Sequence, residues 1–147
     1  MSIRELINAS TITLDLQART PEEAFQELGG LLYRDGAVSD LEAYLGAVRE
    51  RESLGTTAVG FGVAIPHGKS AGVSRAAIAF GRANHDLAWD SLDGEPVRMV
   101  FLIAAPEGAN DLHLRALAQL ARQLMHEEFR HRLMTAATPE AMVNGVE

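Results

Sequence analysis

Apolar and polar positions first alternate at Ile12, Leu14 and Leu16 against Thr13 and Asp15, a period of two that predicts a half-buried strand. The period then lengthens. Thr20 followed by Pro21 reads as an N-cap with proline at the first helical position, and Phe25, Leu28 and Leu32 recur at helical spacing until Asp35-Gly36. Ser39 with Glu42 three residues later has the form of a capping box, and Leu41, Tyr44, Leu45 and Val48 supply a second apolar stripe ending near Arg49 and Arg51. From Leu54 to Gly72 the pattern breaks into five glycines, one proline and one short apolar run, Val63-Ala64-Ile65, which predicts a strand entering a sharp turn. Ala76 to Phe80 and Val97 to Ala104 predict two more strands, the second continuous enough to be buried on both faces. Asn84-His85-Asp86 and Asp93-Gly94-Glu95-Pro96 are turn signals between them. Asn110-Asp111 predicts the cap of a helix with Leu114, Leu117, Ala121 and Leu124 inward; a short helix follows from Glu127 to Met134, and Thr138-Pro139 opens a last one. Strands interleaved with helices predict the α/β class, with a mixed sheet covered by helices.

The 147 residues, 47% hydrophobic, suffice for one well-filled core, so a single domain spanning 1–147 is expected. Thirteen basic against 20 acidic groups leave a net charge of −7, which argues against nucleic acid or an anionic membrane as the main partner. Cysteine is absent, which excludes disulfide scaffolds, thiolate metal sites and cysteine nucleophiles and permits an intracellular address. No window approaches the roughly 20 unbroken apolar residues of a membrane span, and the N-terminus has no signal-like apolar core. A cytoplasmic protein, not embedded in a membrane, is the expectation.

The sharpest local feature is GVAIPHGKS, residues 62 to 70. Pro66 cannot donate to a strand ladder and pushes Ile65 to extended geometry, so the strand should end there and leave His67 at its exposed lip. Gly68 would then allow a tight turn and give another molecule access to the imidazole. A plain turn histidine fits the same pattern. Lys69, the only lysine in the chain, lies two positions on, where any surface turn could place it. His113 follows the predicted cap at Asn110-Asp111, where unpaired N–H groups favour an anion, and it borders the stripe through Leu117, Leu120 and Leu124. Local sequence alone favours a partly buried histidine satisfied by a carbonyl there. Arg51, near a helix end, simply complements the helix dipole on its bland reading.

Other patterns fail on inspection. Gly68-Lys69-Ser70 lacks the first glycine of a phosphate loop, because position 63 is valine, and Gly60-Phe61-Gly62 lacks the third glycine of a dinucleotide fingerprint, because position 65 is isoleucine. His126 and His131 are five apart, about 140° around a helix, and do not share a face. Asp90 and Asp93 read as turn acids. A metal-dependent hydrolase built on His67 and His113 has no carboxylate at ligand spacing. No metal and no cofactor are expected.

GVAIPHG and its surroundings resemble the enzyme IIA domain of the fructose, mannitol and nitrogen-regulatory class of the phosphoenolpyruvate-dependent sugar phosphotransferase system. The histidine signature of that family is similar to the set Glu52, Val59, Gly60, Val63, Ala64, Ile65, Pro66, His67 and Gly68. RERESLGTT resembles its arginine-bearing helix end, LAWDSLDGEPVRMVFLIAAP its fructose and nitrogen type, and LHLRALAQLARQL the helix of its second histidine. The likeness spans nearly the whole chain and implies a single domain with a mixed, mostly parallel sheet. One departure is Phe61, where many relatives carry a polar residue between the glycines.

The resemblance implies that His67 accepts a phosphoryl group from phospho-HPr, or its nitrogen-branch homologue, and passes it to an enzyme IIB domain in sugar uptake of fructose type. The alternative is a nitrogen-regulatory protein whose His67 phosphorylation selects its partners. His113 and Arg51 would hold the phosphate, with Thr57, Gly68 and Lys69 as lesser contacts. Elementary chemistry agrees: a neutral imidazole nitrogen is the nucleophile, and the nearby cations Arg51 and Lys69 favour that neutral form. A guanidinium about 4 Å from a phosphate charge is worth on the order of 4 kcal/mol at an effective dielectric near 20. Alignment and electrostatics then suffice without a metal.

Overall fold

A computed structural model describes residues 3–108 and 112–146, excluding the side chains of residues 112 and 113. In chain order the elements are α1 (Ile3–Leu6), a 3-10 turn (Ala9–Thr11), β1 (Ile12–Thr13), α2 (Pro21–Arg34), α3 (Leu41–Ser53), β2 (Ala58–Gly60), β3 (Val63–Ala64), β4 (His67–Ser70), β5 (Ala77–Leu87), β6 (Val97–Pro106), α4 (Leu112–Leu124), α5 (Glu127–Thr135) and α6 (Pro139–Gly145). The sheet runs β1-β5-β6-β3-β2, and β4 continues beside β6 past the end of β3. The sheet is mixed, as expected. Three pairings are parallel, β1 with β5 and both β3 and β4 with β6, while the long β5–β6 pairing and the β2–β3 hairpin are antiparallel. Among the described residues no helix is long and apolar enough to cross a membrane.

The unbroken apolar run of β6 is explained by helices on both faces. Val100, Leu102 and Ala104 pack with Leu28, Leu32, Tyr44 and Val48 of α2 and α3. Met99, Phe101 and Ile103 face the other way, against Ala116, Leu120 and Leu124 of α4 and Phe129 of α5. Tyr44 is fully buried and donates its hydroxyl to the Ile103 carbonyl at 2.8 Å, tying α3 to the centre of the sheet. Burial pushes its phenol well above the ordinary value of 10.0, so it remains a donor.

Several sequence expectations shift by a residue or a face. The cap of α3 is Asp40, whose carboxylate accepts from the Ala43 N–H at 3.1 Å, whereas the Ser39 hydroxyl donates to the Gly72 carbonyl. Asp was available one position later, so the Ser39–Glu42 box does not form. The first strand is only two residues long; the chain bends after Thr13, and Ile12 and Leu16 enter opposite layers of the core. Asn84-His85-Asp86 lies within β5, in the irregular stretch where five residues of β5 advance while β6 advances two. Its turn-type residues mark a bulge. In α4 the buried stripe is Ala116, Leu120 and Leu124, and Leu114 is exposed, so the helix is rotated from the predicted phase. The predicted Asn110-Asp111 cap lies outside the described residues. Helix α1 and the 3-10 turn had no apolar period long enough to announce them; Asn8 caps the turn, and Thr11 donates to the Ile78 carbonyl at 2.9 Å.

The segment after α3 departs most usefully. The strand predicted at Val63-Ala64-Ile65 stops at Ala64, breaks over Ile65-Pro66, and resumes as β4 from His67 to Ser70. Gly68 therefore sits in a strand rather than a tight turn. A methyl at its Cα would meet Val48 Cγ2 at 2.9 Å and the Val48 nitrogen at 3.0 Å, so glycine is required because α3 crosses β4 in backbone contact. Gly68→Ala must push the two apart. We expect it to destabilise the fold by about 1–3 kcal/mol in urea unfolding, the usual cost of overpacking; an unchanged midpoint contradicts this packing.

Across the helical layer, Arg49 of α3 makes a two-pronged ion pair with Glu22 of α2, with both bonds at 2.8 Å. The Arg49 hydrogen bond is the leading reason the Glu22 carboxyl is lowered from its ordinary 4.5. Because Glu22 is half exposed, a double-mutant cycle on the pair should give only about 0.2–1 kcal/mol near pH 7. A lowered carboxyl in the folded state stabilises above its unfolded value, so this coupling should persist above about pH 4.5 and vanish as the pH falls through the lowered value. Coupling that survives full protonation of carboxylates contradicts the ionic assignment.

Candidate functional site

The site is built where the chain beside β6 is broken by proline. Pro66 lacks an N–H, yet its carbonyl accepts from the Ile103 N–H at 3.0 Å, so β6 keeps its ladder while the neighbouring chain kinks. Ile65 is held from the other side, its N–H donating to the Thr57 carbonyl at 2.9 Å. In the register His67 pairs with Ile103 and Gly68 with Ala104. Paired residues share a face, so His67 stands on the face covered by α4 and Gly68 faces α3.

His67 is half-buried, and its Nδ1 lies 3.1 Å from the Ile65 carbonyl oxygen. A carbonyl can only accept, so Nδ1 carries the proton in that bond and the neutral ring has its lone pair on Nε2. The sequence could not assign this tautomer. The hydrogen bond assigns it.

A shallow cleft of about 290 Å³ is lined by His67, Gly68 and Lys69 of β4 and by Ala47, Glu50, Arg51 and Leu54 at the end of α3. Thus Arg51, His67, Gly68 and Lys69 are brought together. The Arg51 guanidinium donates through Nη1 to the Gly55 carbonyl at 3.0 Å, which holds it over the turn that ends α3. Lys69 is exposed and, two residues along a strand, shares the His67 side. Leu54, 81% exposed at the rim, was not singled out by the sequence, because one leucine after a helix carries no signal of exposure.

Thr57 is buried and is not among the residues lining this cleft. Its hydroxyl donates to Glu52 Oε1 at 2.7 Å and its N–H to Glu52 Oε2 at 3.0 Å; the indole N–H of Trp89 also donates to Oε2, at 3.1 Å. Glu52 was visible only as a member of the signature, with no role attached. His113 is the second residue of α4, and its side chain lies outside the described residues. By helical phase its position is in line with Ala116, Leu120 and Leu124, the stripe that faces the His67 side of the sheet.

Phe61 is at the tip of the β2–β3 hairpin, at φ 59°, and the Arg130 guanidinium stacks over its ring at 4.1 Å. It lines a different depression with Gly62, Met99 and Arg130, sharing no residue with the His67 cleft. Asp93 supports that hairpin by accepting from the Phe61 N–H at 3.0 Å. Hydrogen bonds from the backbone N–H of Glu95 and then of Phe61 lower its carboxyl, as befits a turn acid. Among the described residues no group of three or more His, Asp or Glu side chains is placed to hold a metal ion.

Residues 5–147 match the family described as phosphoenolpyruvate-dependent sugar phosphotransferase system, EIIA 2. Over 98% of its length the chain is 42% identical to the PTS system fructose-specific EIIABC component of Bacillus subtilis (strain 168), and it spans 23% of that longer protein. It is 35% identical to the nitrogen regulatory protein IIA-Ntr of Neisseria meningitidis, whose crystal structure superposes with a TM-score of 0.87 and 99% coverage of both chains. The enzyme IIAMTL of Escherichia coli, in a complex with phosphorylated enzyme IIBMTL, is 26% identical, with a TM-score of 0.80 over 96% of this chain and 98% of that one. With the fold, the signature residues and the match over 5–147 in agreement, the chain belongs to the EIIA 2 family of the sugar phosphotransferase system.

Proposed function

We propose that the protein is a phosphocarrier whose His67 accepts a phosphoryl group from phospho-HPr, or from its nitrogen-branch homologue, and delivers it to an enzyme IIB domain in sugar uptake of fructose type. The observation that carries this reading is the His67 ring itself: half-buried, tied through Nδ1 to the Ile65 carbonyl, and sharing a cleft with Arg51 and Lys69. The Nε2 lone pair attacks phosphorus as the donor's bond to phosphorus breaks, so a P–N bond forms without a proton leaving the ring. Arg51 and Lys69 then balance the added negative charge. His113, at the second position of α4, is assigned a share in holding the phosphate, and Thr57 acts through Glu52 rather than by direct contact. The fructose assignment and the IIB acceptor are supported by the names of the Bacillus relative and of the Escherichia coli complex.

A second reading keeps His67 as the phosphorylated residue but makes it a switch that selects partner proteins, as the likeness to the Neisseria nitrogen regulatory protein over 99% of both chains favours. Transfer separates the two. Phosphorylated protein mixed with IIB domains of fructose type should lose its label to them under the carrier reading, and label that stays in place favours the switch.

His67→Ala should abolish labelling by phospho-HPr, and the label on the unsubstituted chain should be lost in mild acid and survive alkali, as P–N linkages do. Stoichiometric labelling of His67→Ala, or acid-stable label, contradicts the assignment.

A further inference from the structure

Glu52 follows Arg51 directly at the end of α3 and does not line the His67 cleft. Its carboxylate is occupied by three donors: the Thr57 hydroxyl, the Thr57 N–H and the Trp89 indole N–H. Trp89 is itself fixed in the α2 layer, with its ring edge-on to Phe25 at 5.8 Å between centroids. From Thr57 the connection continues by backbone. The Thr57 carbonyl accepts from Ile65 N–H, and the Ile65 carbonyl accepts from His67 Nδ1–H. Glu52 thus closes the link between the end of the arginine helix and the kinked chain that carries the histidine. Without it, the turn through Gly55 and Thr56 has no side-chain anchor to α3 at Thr57, and the carbonyl that sets the ring has one fixed neighbour fewer.

We propose that Glu52 is a positioning residue for phosphoryl transfer: it holds Thr57, and through the Thr57–Ile65 bond it fixes the carbonyl that keeps the His67 ring in its Nδ1–H tautomer. The transfer role rests on the phosphocarrier reading; the effect on the ring does not. The role is geometric rather than ionic. A glutamine can reproduce it, its amide oxygen accepting from the Trp89 and Thr57 N–H groups while its NH2 donates to the Thr57 hydroxyl. An aspartate keeps the charge but is one methylene too short to reach all three donors.

The test records imidazole 15N chemical shifts at a pH where the His67 ring is neutral, with the His67 signals identified by their loss in His67→Ala. Folded state is checked by amide spectra, and the rate of labelling by phospho-HPr is measured alongside. In the unsubstituted protein and in Glu52→Gln, Nδ1 should show the protonated shift and Nε2 the unprotonated one, with similar labelling rates. In Glu52→Asp and Glu52→Ala the two tautomers should mix, and labelling should slow about tenfold to a hundredfold, as expected for a misplaced reacting group. A folded Glu52→Asp or Glu52→Ala with the native ring pattern overturns the proposal, as does an impaired Glu52→Gln beside an intact Glu52→Asp. Mixed tautomers with unchanged labelling overturn the transfer role alone. If the unsubstituted chain takes no label at all, the phosphocarrier reading fails, and the ring pattern still decides whether Glu52 sets His67.

Discussion

Everything at the site follows from one edge of β6 being shared by two short strands with a proline between them. β3 and β4 both run parallel to β6, and the intervening Ile65-Pro66 pair leaves the strand geometry without releasing it, because Pro66 still accepts from Ile103. A continuous strand would direct the Ile65 carbonyl into ordinary pairing. The kink turns it instead towards the ring two residues on, at 3.1 Å from Nδ1. A backbone carbonyl cannot change protonation, so it is a stable device for choosing a tautomer.

The surroundings make that choice durable. On one side Gly68 lets α3 approach to backbone contact, which brings the Arg51 turn beside the imidazole; on the other, α4 covers the face that His67 shares with Ile103. Tyr44 bonds to the carbonyl of the same Ile103 whose register position His67 occupies, so helix, strand and histidine are referenced to one point. A phosphate there would meet Arg51, held by the Gly55 carbonyl, and the exposed Lys69 at the rim of an open cleft. Preorganised charge of this kind needs little rearrangement when the group arrives and still lets a partner reach it. Leu54, strongly exposed beside Arg51, gives the same rim an apolar element.

Local chemistry was legible where one residue type has one geometric outcome. Thr20-Pro21 and Thr138-Pro139 open α2 and α6 as expected, since a hydroxyl cap followed by proline admits few alternatives. Pro66 also ended its strand. What the sequence could not convey was pairing: nothing local says that His67 to Ser70 finds a place beside β6, and so Gly68 read as a turn when it is a point of helix contact. The phase of α4 was missed for a related reason, because Leu114 and Ala121 look as apolar as Ala116 and Leu120, and only the neighbouring elements decide which pair is covered. Glu52 belonged to the recognisable signature, yet its three donors come from Thr57 and Trp89, the latter 37 residues away.

The central claim is that the protein presents His67 to phosphorus through Nε2 because Nδ1 is bound to the Ile65 carbonyl. Its most direct test is 15N and 31P NMR of the phosphorylated protein, with scalar coupling locating the P–N bond. Phosphate on Nε2 of His67, with Nδ1 still protonated, is the predicted result. Phosphate on Nδ1, or on any other residue, contradicts it.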